Sequence, residues 1–183
     1  GYVRMIPTNA NRGKYRSVGR LVSDVFQNWS ATESVLEADE IDLRTPVRPR
    51  ISQYADIYTN GFMKYPYAQD AYFLMPSYFY HWDRKIGPNT LDIRLLTSRD
   101  GIGWQPAGGR KPFLRLGPWG SLSSREVYAC PGVVRVGDEL WSYYIGKNSN
   151  HSDVLDPLAD KQRSGIFRAV SRLDGFISAD TPY

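Results

Sequence analysis

The sequence predicts an all-β chain, a partial β-propeller with two complete four-stranded antiparallel blades behind an incomplete first one. Three observations lead there. The stretch from Tyr54 to His81 returns in the same register from Ser124 to His151. Asp56-Ile57-Tyr58 lies over Glu126-Val127-Tyr128, Phe73-Leu74 over Tyr143-Tyr144 and His81 over His151, every pair 70 positions apart. A turn punctuates the copies: Ser23 to Trp29 is echoed by Ser98-Arg99-Asp100-Gly101-Ile102-Gly103-Trp104 and by Ser171 to Phe176, with the serines 75 and 73 residues apart. No segment sustains a 3.6-residue apolar period, so almost no helix is expected.

Taken in order, Gly1 to Thr8 reads as a strand, Asn9 to Lys14 as a polar turn, Tyr15 to Ser23 as a second strand and Trp29 to Glu37 as a third. In blade terms these are strands two to four, because nothing before them serves as an innermost strand. Ala38 to Gln53 is a connector, held out of any central strand by Pro46 and Pro49, which lack an N–H. The second blade then runs through Tyr54–Met63, Ala71–Tyr78, Leu91–Ser98 and Trp104–Leu114, the last interrupted by Gly108-Gly109. Pro66, Gly87-Pro88 and Asp100-Gly101 supply its turns. The third follows with Arg125–Val136, a hairpin turn at Gly137-Asp138, Glu139–Gly146, a polar loop from Lys147 to Arg163 and Gly165–Ser171. A short outer strand is expected between Ile177 and Tyr183. The segments 1–45, 46–116 and 117–183 are therefore three blades of one partial propeller domain.

Two blades and a part do not close a ring, and an open edge is one that proteins normally pair or cover. Three completions are compatible with the pattern: a longer protein from which this chain is cut, a second polypeptide, or a homodimer of about five blades. The missing initiator Met favours the first.

Composition narrows the function classes. With 42% hydrophobic and 23% charged residues the chain is ordinary for a folded domain. Aromatics at 14%, including 13 Tyr and 5 Trp, lean towards β structure and towards surfaces that stack on flat ligands, sugar faces among them. The net charge of +4 comes from basic residues scattered along strands and turns, which reads as a solvated face and not as a nucleic-acid patch. No run approaches a membrane span. A lone Cys130 permits no intrachain disulfide, and without Cys or His at ligand spacing no metal site and no cofactor is expected. Asn28-Trp29-Ser30 and Asn150-His151-Ser152 match the glycosylation sequon and are read as chance.

The residues Ser98 to Trp104, then Arg110-Lys111-Pro112-Phe113-Leu114 and Leu116-Gly117-Pro118-Trp119-Gly120-Ser121, give the chain a family likeness. With Val127-Tyr128-Ala129-Cys130-Pro131-Gly132, Gly137-Asp138-Glu139-Leu140-Trp141 and Arg172-Leu173-Asp174-Gly175-Phe176, it resembles a bacterial branch of the five-bladed β-propeller glycoside hydrolases, the superfamily of invertases, levansucrases and arabinanases. The Ser-Asp-Gly-Trp turn by itself is similar to the widespread Asp-box of sialidases. The resemblance implies a carbohydrate ligand at the mouth of a central channel and three channel carboxylates. Glu126 matches the general acid by position and Asp56 the transition-state stabiliser; the first carboxylate belongs on an innermost strand that this chain lacks. Its absence keeps a second reading alongside hydrolysis, a non-catalytic carbohydrate-binding or assembly module.

The residues argue for the same place independently. Equivalent positions on repeated blades point the same way around the axis, so Asp56 and Glu126 should share one cavity at the separation of about 5–10 Å that glycoside hydrolysis requires. Tyr58 and Tyr128, two positions on, share their strand faces and either line the pocket or pack between the blades as core aromatics. His81 and His151, read as ending the second strand of consecutive blades, would hold sugar hydroxyls. Arg125 joins these as a substrate contact, although it or Lys64 could equally pair with the carboxylates as a structural charge. Asp24, Asp100 and Asp174 are read as turn residues that bond their own backbone. Trp82 and Trp119 fall in loops, where inter-blade packing is the plainer role.

Overall fold

Short runs of β-branched and aromatic residues, stopped by Gly and Pro, become short strands wherever the chain is described. The computed structural model describes residues 1–5, 15–44, 52–82, 89–151 and 154–176. Among these, regular structure is β throughout, except for the five-residue helix α1 (Glu40–Arg44) in the expected connector and one 3-10 turn at Gly108–Arg110. No helix among the described residues is long and apolar enough to cross a membrane. The Asn9–Lys14 turn, Pro46, Pro49, the Gly87-Pro88 turn and the last expected strand lie outside the described residues.

β1 (Tyr2–Met5), β2 (Ser17–Arg20) and β3 (Glu33–Leu36) form an antiparallel three-stranded sheet in chain order. The next segment contributes β4 (Ser52–Ile57), β5 (Phe62–Lys64), β6 (Tyr72–Leu74), β7 (Ser77–Trp82), β8 (Thr90–Ile93), β9 (Leu96–Ser98) and β10 (Gln105–Pro106). Three strands expected to run unbroken are each interrupted near the middle, between β4 and β5, β6 and β7, and β8 and β9. Gly61 causes the first break: its φ is +52°, and a Cβ there would stand 2.5 Å from the Met75 carbonyl oxygen. Pro76, with no N–H to give, marks the second. The halves then sort into two groups, β4-β7-β8 and β5-β6-β9-β10.

The expected fourth strand from Trp104 to Leu114 is corrected to the two residues of β10. Pro106 cannot donate to a ladder, and Gly108 and Gly109 both adopt φ of +62°, which turns the backbone away. The segment returns only at Leu114, in a single bridge to Ile93. The third strand of the first sheet is likewise shorter than expected, Glu33–Leu36 in place of Trp29–Glu37.

The expected strand from Arg125 to Val136 is corrected to two, broken where Pro131 has no N–H to give and Gly132 adopts φ of +83°. β11 (Glu126–Ala129) and β12 (Val134–Val136) pair in succession along one edge of β13 (Glu139–Lys147), and β14 (Ser164–Arg172) pairs along the other. Gly137-Asp138 makes the hairpin turn as expected, with Gly137 at φ +61°. One parallel pairing, Glu126 with Leu91, joins this meander to β8, giving the order β12-β13-β11-β8-β7-β4. The sheets of the described residues are open, none closing on itself.

Side-chain alternation on the middle layer feeds two cores. Ala55, Ile57, Leu74, Tyr78, Leu96 and Trp104 pack with Val18 of the first sheet, whereas Met63, Phe73, Met75, Ile93 and Leu95 pack with Val127 and Leu140 of the last. On β6 alone, Leu74 faces one core and its neighbour Phe73 the other. The Ser98–Trp104 turn behaves as its sequence implies: Asp100 Oδ1 accepts from the N–H groups of Ile102 at 2.8 Å and Gly103 at 2.9 Å, and these bonds hold its carboxyl below the usual range. Trp104 is buried behind it, while Trp29 in the earlier copy stays exposed beside Phe26.

A buried polar chain crosses the first core. Arg94 donates to Asp42 of α1 at 3.0 Å and to the Tyr80 hydroxyl at 3.0 Å, and that hydroxyl donates to Asp92. Burial is the main cause that pushes the Asp92 carboxyl up to about 6, against the opposing pull of Arg94 and the Tyr80 bond. The folded state therefore keeps a proton that the unfolded chain releases near pH 4, and stability should fall as pH rises from roughly 4 to 6. Asp92→Asn is expected to flatten that fall, worth roughly 2–3 kcal/mol, in urea denaturation followed across the window. Leu74→Ala, at a fully buried site shared by the central layer, should cost about 2–5 kcal/mol by the same measurement.

Candidate functional site

β4 and β11 carry Asp56 and Glu126, 70 positions apart in the sequence, and alternation decides what each strand exposes. Ala55 and Ile57 go to one core and Val127 to the other, so Asp56, Tyr58, Glu126 and Tyr128 turn to the opposite faces. Around them the structure gathers six of the seven residues read from the sequence: Asp56, Tyr58, His81, Glu126, Tyr128 and His151.

Glu126 is fully buried, yet both its oxygens are met. The Tyr128 hydroxyl donates to Oε2 at 2.7 Å, His151 Nδ1 stands 2.5 Å from Oε1, and Lys147 Nζ lies 3.5 Å from Oε2. His151 Nε2 is in turn 2.7 Å from the Tyr58 hydroxyl, so one imidazole links Glu126 of β11 to the residue that follows β4. With Nδ1–H given to Glu126, Nε2 is left to accept the Tyr58 proton. Burial, and then the bond to Glu126, push the Tyr128 phenol well above its ordinary range, which keeps it a donor at neutral pH.

Asp56 repeats the pattern. His81 Nε2 lies 3.3 Å from Oδ1, Arg16 Nη1 donates to Oδ2 at 3.0 Å, and the Arg16 backbone N–H donates to the same oxygen at 3.2 Å. Phe79 stacks between the halves, with its ring 4.5 Å from that of His81 and 5.5 Å from that of His151. The guanidinium groups of Arg4 and Arg16 stand over the Tyr58 ring at 4.7 and 5.0 Å from its centroid.

The two histidines arrive by different routes from the one expected. His81 lies within β7, paired opposite Tyr54, and His151 sits four residues past the end of β13, in a turn. Arg125 is the residue that does not join. One step from Glu126 along an extended backbone reverses its direction, and its guanidinium lies 5.5 Å from the Trp119 ring in a different environment. Lys64, the other cation weighed, sits over Tyr72. Trp119 is exposed and Trp82 packs at the margin of the first core.

Sequence reasoning missed Phe79, Lys147, Arg16 and Arg4. Phe79 was recoverable, since it precedes His81 by two on one strand and so shares its face. Lys147 reaches Glu126 only because β13 pairs with β11 in the register Glu126 to Lys147, and Arg16 arrives from the segment just ahead of β2. Neither leaves a local signal. Among the described residues no group of three or more His, Cys, Asp or Glu is arranged to hold a metal ion. Clefts of about 320 Å³ beside Tyr72, Ser98 and Gln105 and about 500 Å³ along the Lys64–Asp70 loop lie elsewhere, and neither is lined by a histidine.

Comparison with solved structures finds the same architecture in larger proteins. An N-acetylgalactosamine deacetylase from F. plautii, in complex with blood group B trisaccharide, superposes with a TM-score of 0.57 at 21% identity over 87% of this chain and 42% of that one. A glycoside hydrolase gives 0.51 at 13% identity, and a BT0996 RGII complex 0.51 at 14%, each over 100% of this chain and 43% of the other. Identities this low carry the fold alone, and this chain spans less than half the length of those it matches. No known protein family and no curated protein sequence matches it.

The Glu126 contacts have a measurable weight. Tyr128→Phe removes a hydrogen bond to a fully buried carboxylate and should cost about 1.5–3 kcal/mol in chemical denaturation. Lys147→Met leaves that carboxylate without its nearest cation and should destabilise the fold at least as much.

Proposed function

We propose that this chain is part of a β-propeller whose cluster of Asp56, Tyr58, His81, Glu126, Tyr128 and His151 binds a carbohydrate. In this reading the segments 1–45, 46–116 and 117–183 are blades, and further blades come from a longer chain of which this is a part, from a second copy or from another polypeptide. The antiparallel order through β4/β5, β6/β7, β8/β9 and β10, followed by the β11/β12-β13-β14 meander, supports it. So does the pairing of both copies' carboxylates with both copies' histidines.

The observation that carries the proposal is the arrangement of groups around His151. Tyr58, Tyr128 and His151 offer hydroxyl and imidazole groups beside the half-buried aromatic face of Tyr58, which Phe79 backs from the core, a mixture suited to sugar hydroxyls on one side and sugar C–H faces on the other. The glycan-directed names of the structural neighbours agree with it.

Binding is preferred over direct proton transfer from Glu126 for a specific reason. Asp56 and Glu126 are 1% and 0% exposed and already satisfied by protein groups, so neither presents an oxygen to a leaving group. Their role in this proposal is to orient His81 and His151. A hydrolytic reading is favoured by one feature, the path from Glu126 through His151 to the Tyr58 hydroxyl, in which the imidazole could relay a proton to a reacting sugar.

The two readings separate on Glu126→Gln and Tyr58→Phe. For a binding site, calorimetric titration with a panel of oligosaccharides should show each variant weakening the best ligand by about 10-fold, with no sugar released by the parent protein. For a hydrolytic site, the parent should release reducing sugar, and Glu126→Gln should reduce that rate by about 100-fold or more with an unchanged circular dichroism spectrum. Neither binding nor release by the parent protein would sink both.

A further inference from the structure

We infer that the sugar taken by this site carries a negative charge, a uronate or a similar carboxylate-bearing residue. The inference rests on the proposed glycan site and deepens it by naming the ligand's chemical class.

The two anions of the cluster are withdrawn from solvent and its cations are not. Asp56 and Glu126 side chains are 2% and 0% exposed, whereas Arg16 and Lys147, which pair with them, are 31% and 25% exposed. Arg4, also exposed, adds a third cation that lies 4.7 Å from the Tyr58 ring centroid. Arg16 and Lys147 thus pair with the two carboxylates, while Arg4 stands over Tyr58 with no carboxylate contact among the described residues, which leaves the solvent side of the cluster cationic. A ligand approaching Tyr58 and His151 meets guanidinium and ammonium groups first.

These cations also converge on one place. Arg4 and Arg16 both stand over the Tyr58 ring, Arg16 additionally lies 5.2 Å from the Phe79 ring, and Lys147 reaches the same Glu126 that holds His151. Guanidinium groups standing over aromatic rings are confined near them, and their N–H groups suit a planar carboxylate. A neutral sugar would use the hydroxyl and imidazole groups but leave that cationic rim unmatched. A carboxylate on the sugar ring would engage both.

The test uses the full protein and matched ligands that differ only in charge: glucuronide, galacturonide and nonulosonate oligosaccharides, each as the free acid and as its methyl ester. The expected result is that at least one free acid binds about 10-fold more tightly than its ester in calorimetric titration, with the margin shrinking as salt rises. Arg4→Ala, a change at an exposed position of β1, should remove most of that margin, and Arg4→Lys should restore part of it. Equal binding of acid and ester in every pair overturns the inference while leaving a neutral glycan site standing. Failure of every acid and every ester to bind, with neutral oligosaccharides bound, also overturns it; failure of all three classes overturns the glycan site as well.

Discussion

Period-two alternation along β4 and β11 is the constraint from which the rest of this structure follows. A strand cannot send Ala55 and Ile57 into a core without turning Asp56 and Tyr58 the other way, and the same holds for Val127 between Glu126 and Tyr128. The apolar residues are buried because they stabilise the contact between layers, each fully buried aliphatic side chain contributing roughly 1.5–3 kcal/mol. The polar cluster is therefore held in place by packing that has nothing to do with its chemistry. A one-residue slip of either strand would exchange the two sets, and the cores make that slip costly.

Burying two carboxylates is expensive unless each is met by donors or opposite charge, and the structure meets both demands with residues drawn from every layer. Asp56 depends on Arg16, just ahead of β2, and Glu126 on Lys147 at the end of β13. His151 then ties β11 to the end of β4 through Glu126 and Tyr58. Further along the same boundary, Ser77 donates to the Val127 carbonyl at 3.0 Å, and Ile57 donates to the Arg16 carbonyl at 3.2 Å. The cluster is accordingly a seam between layers as well as a site, and its geometry should be rigid. Arg94 plays the corresponding structural part in the first core, joining α1 to Tyr80 without access to the cluster.

The junction of β4 and β7 shapes the site too. Pairing continues past the end of β4: the Tyr58 N–H donates to the Ser77 carbonyl at 2.8 Å, and the Ser77 N–H donates to the Thr59 hydroxyl at 2.9 Å. These bonds fix Tyr58 one residue beyond β4, where its hydroxyl meets the His151 imidazole.

The amino-acid order alone determined the β class, the order of strands through β1–β3 and from β13 to β14, the Asp100 turn and six of the residues in the cluster. All of these are local or periodic: alternation, turn chemistry and the 70-residue spacing of Asp56 from Glu126 are read in one dimension. The tertiary structure decided the remainder. It broke the long strands where Gly61 meets Met75, cut the expected fourth strand to Gln105–Pro106, left Arg125 beside Trp119, and brought Arg16, Lys147 and Arg4 to carboxylates and rings far away in the sequence. Those outcomes depend on which layers stack and in which register, and long-range pairing of that kind leaves no trace in the spacing of residues along the backbone.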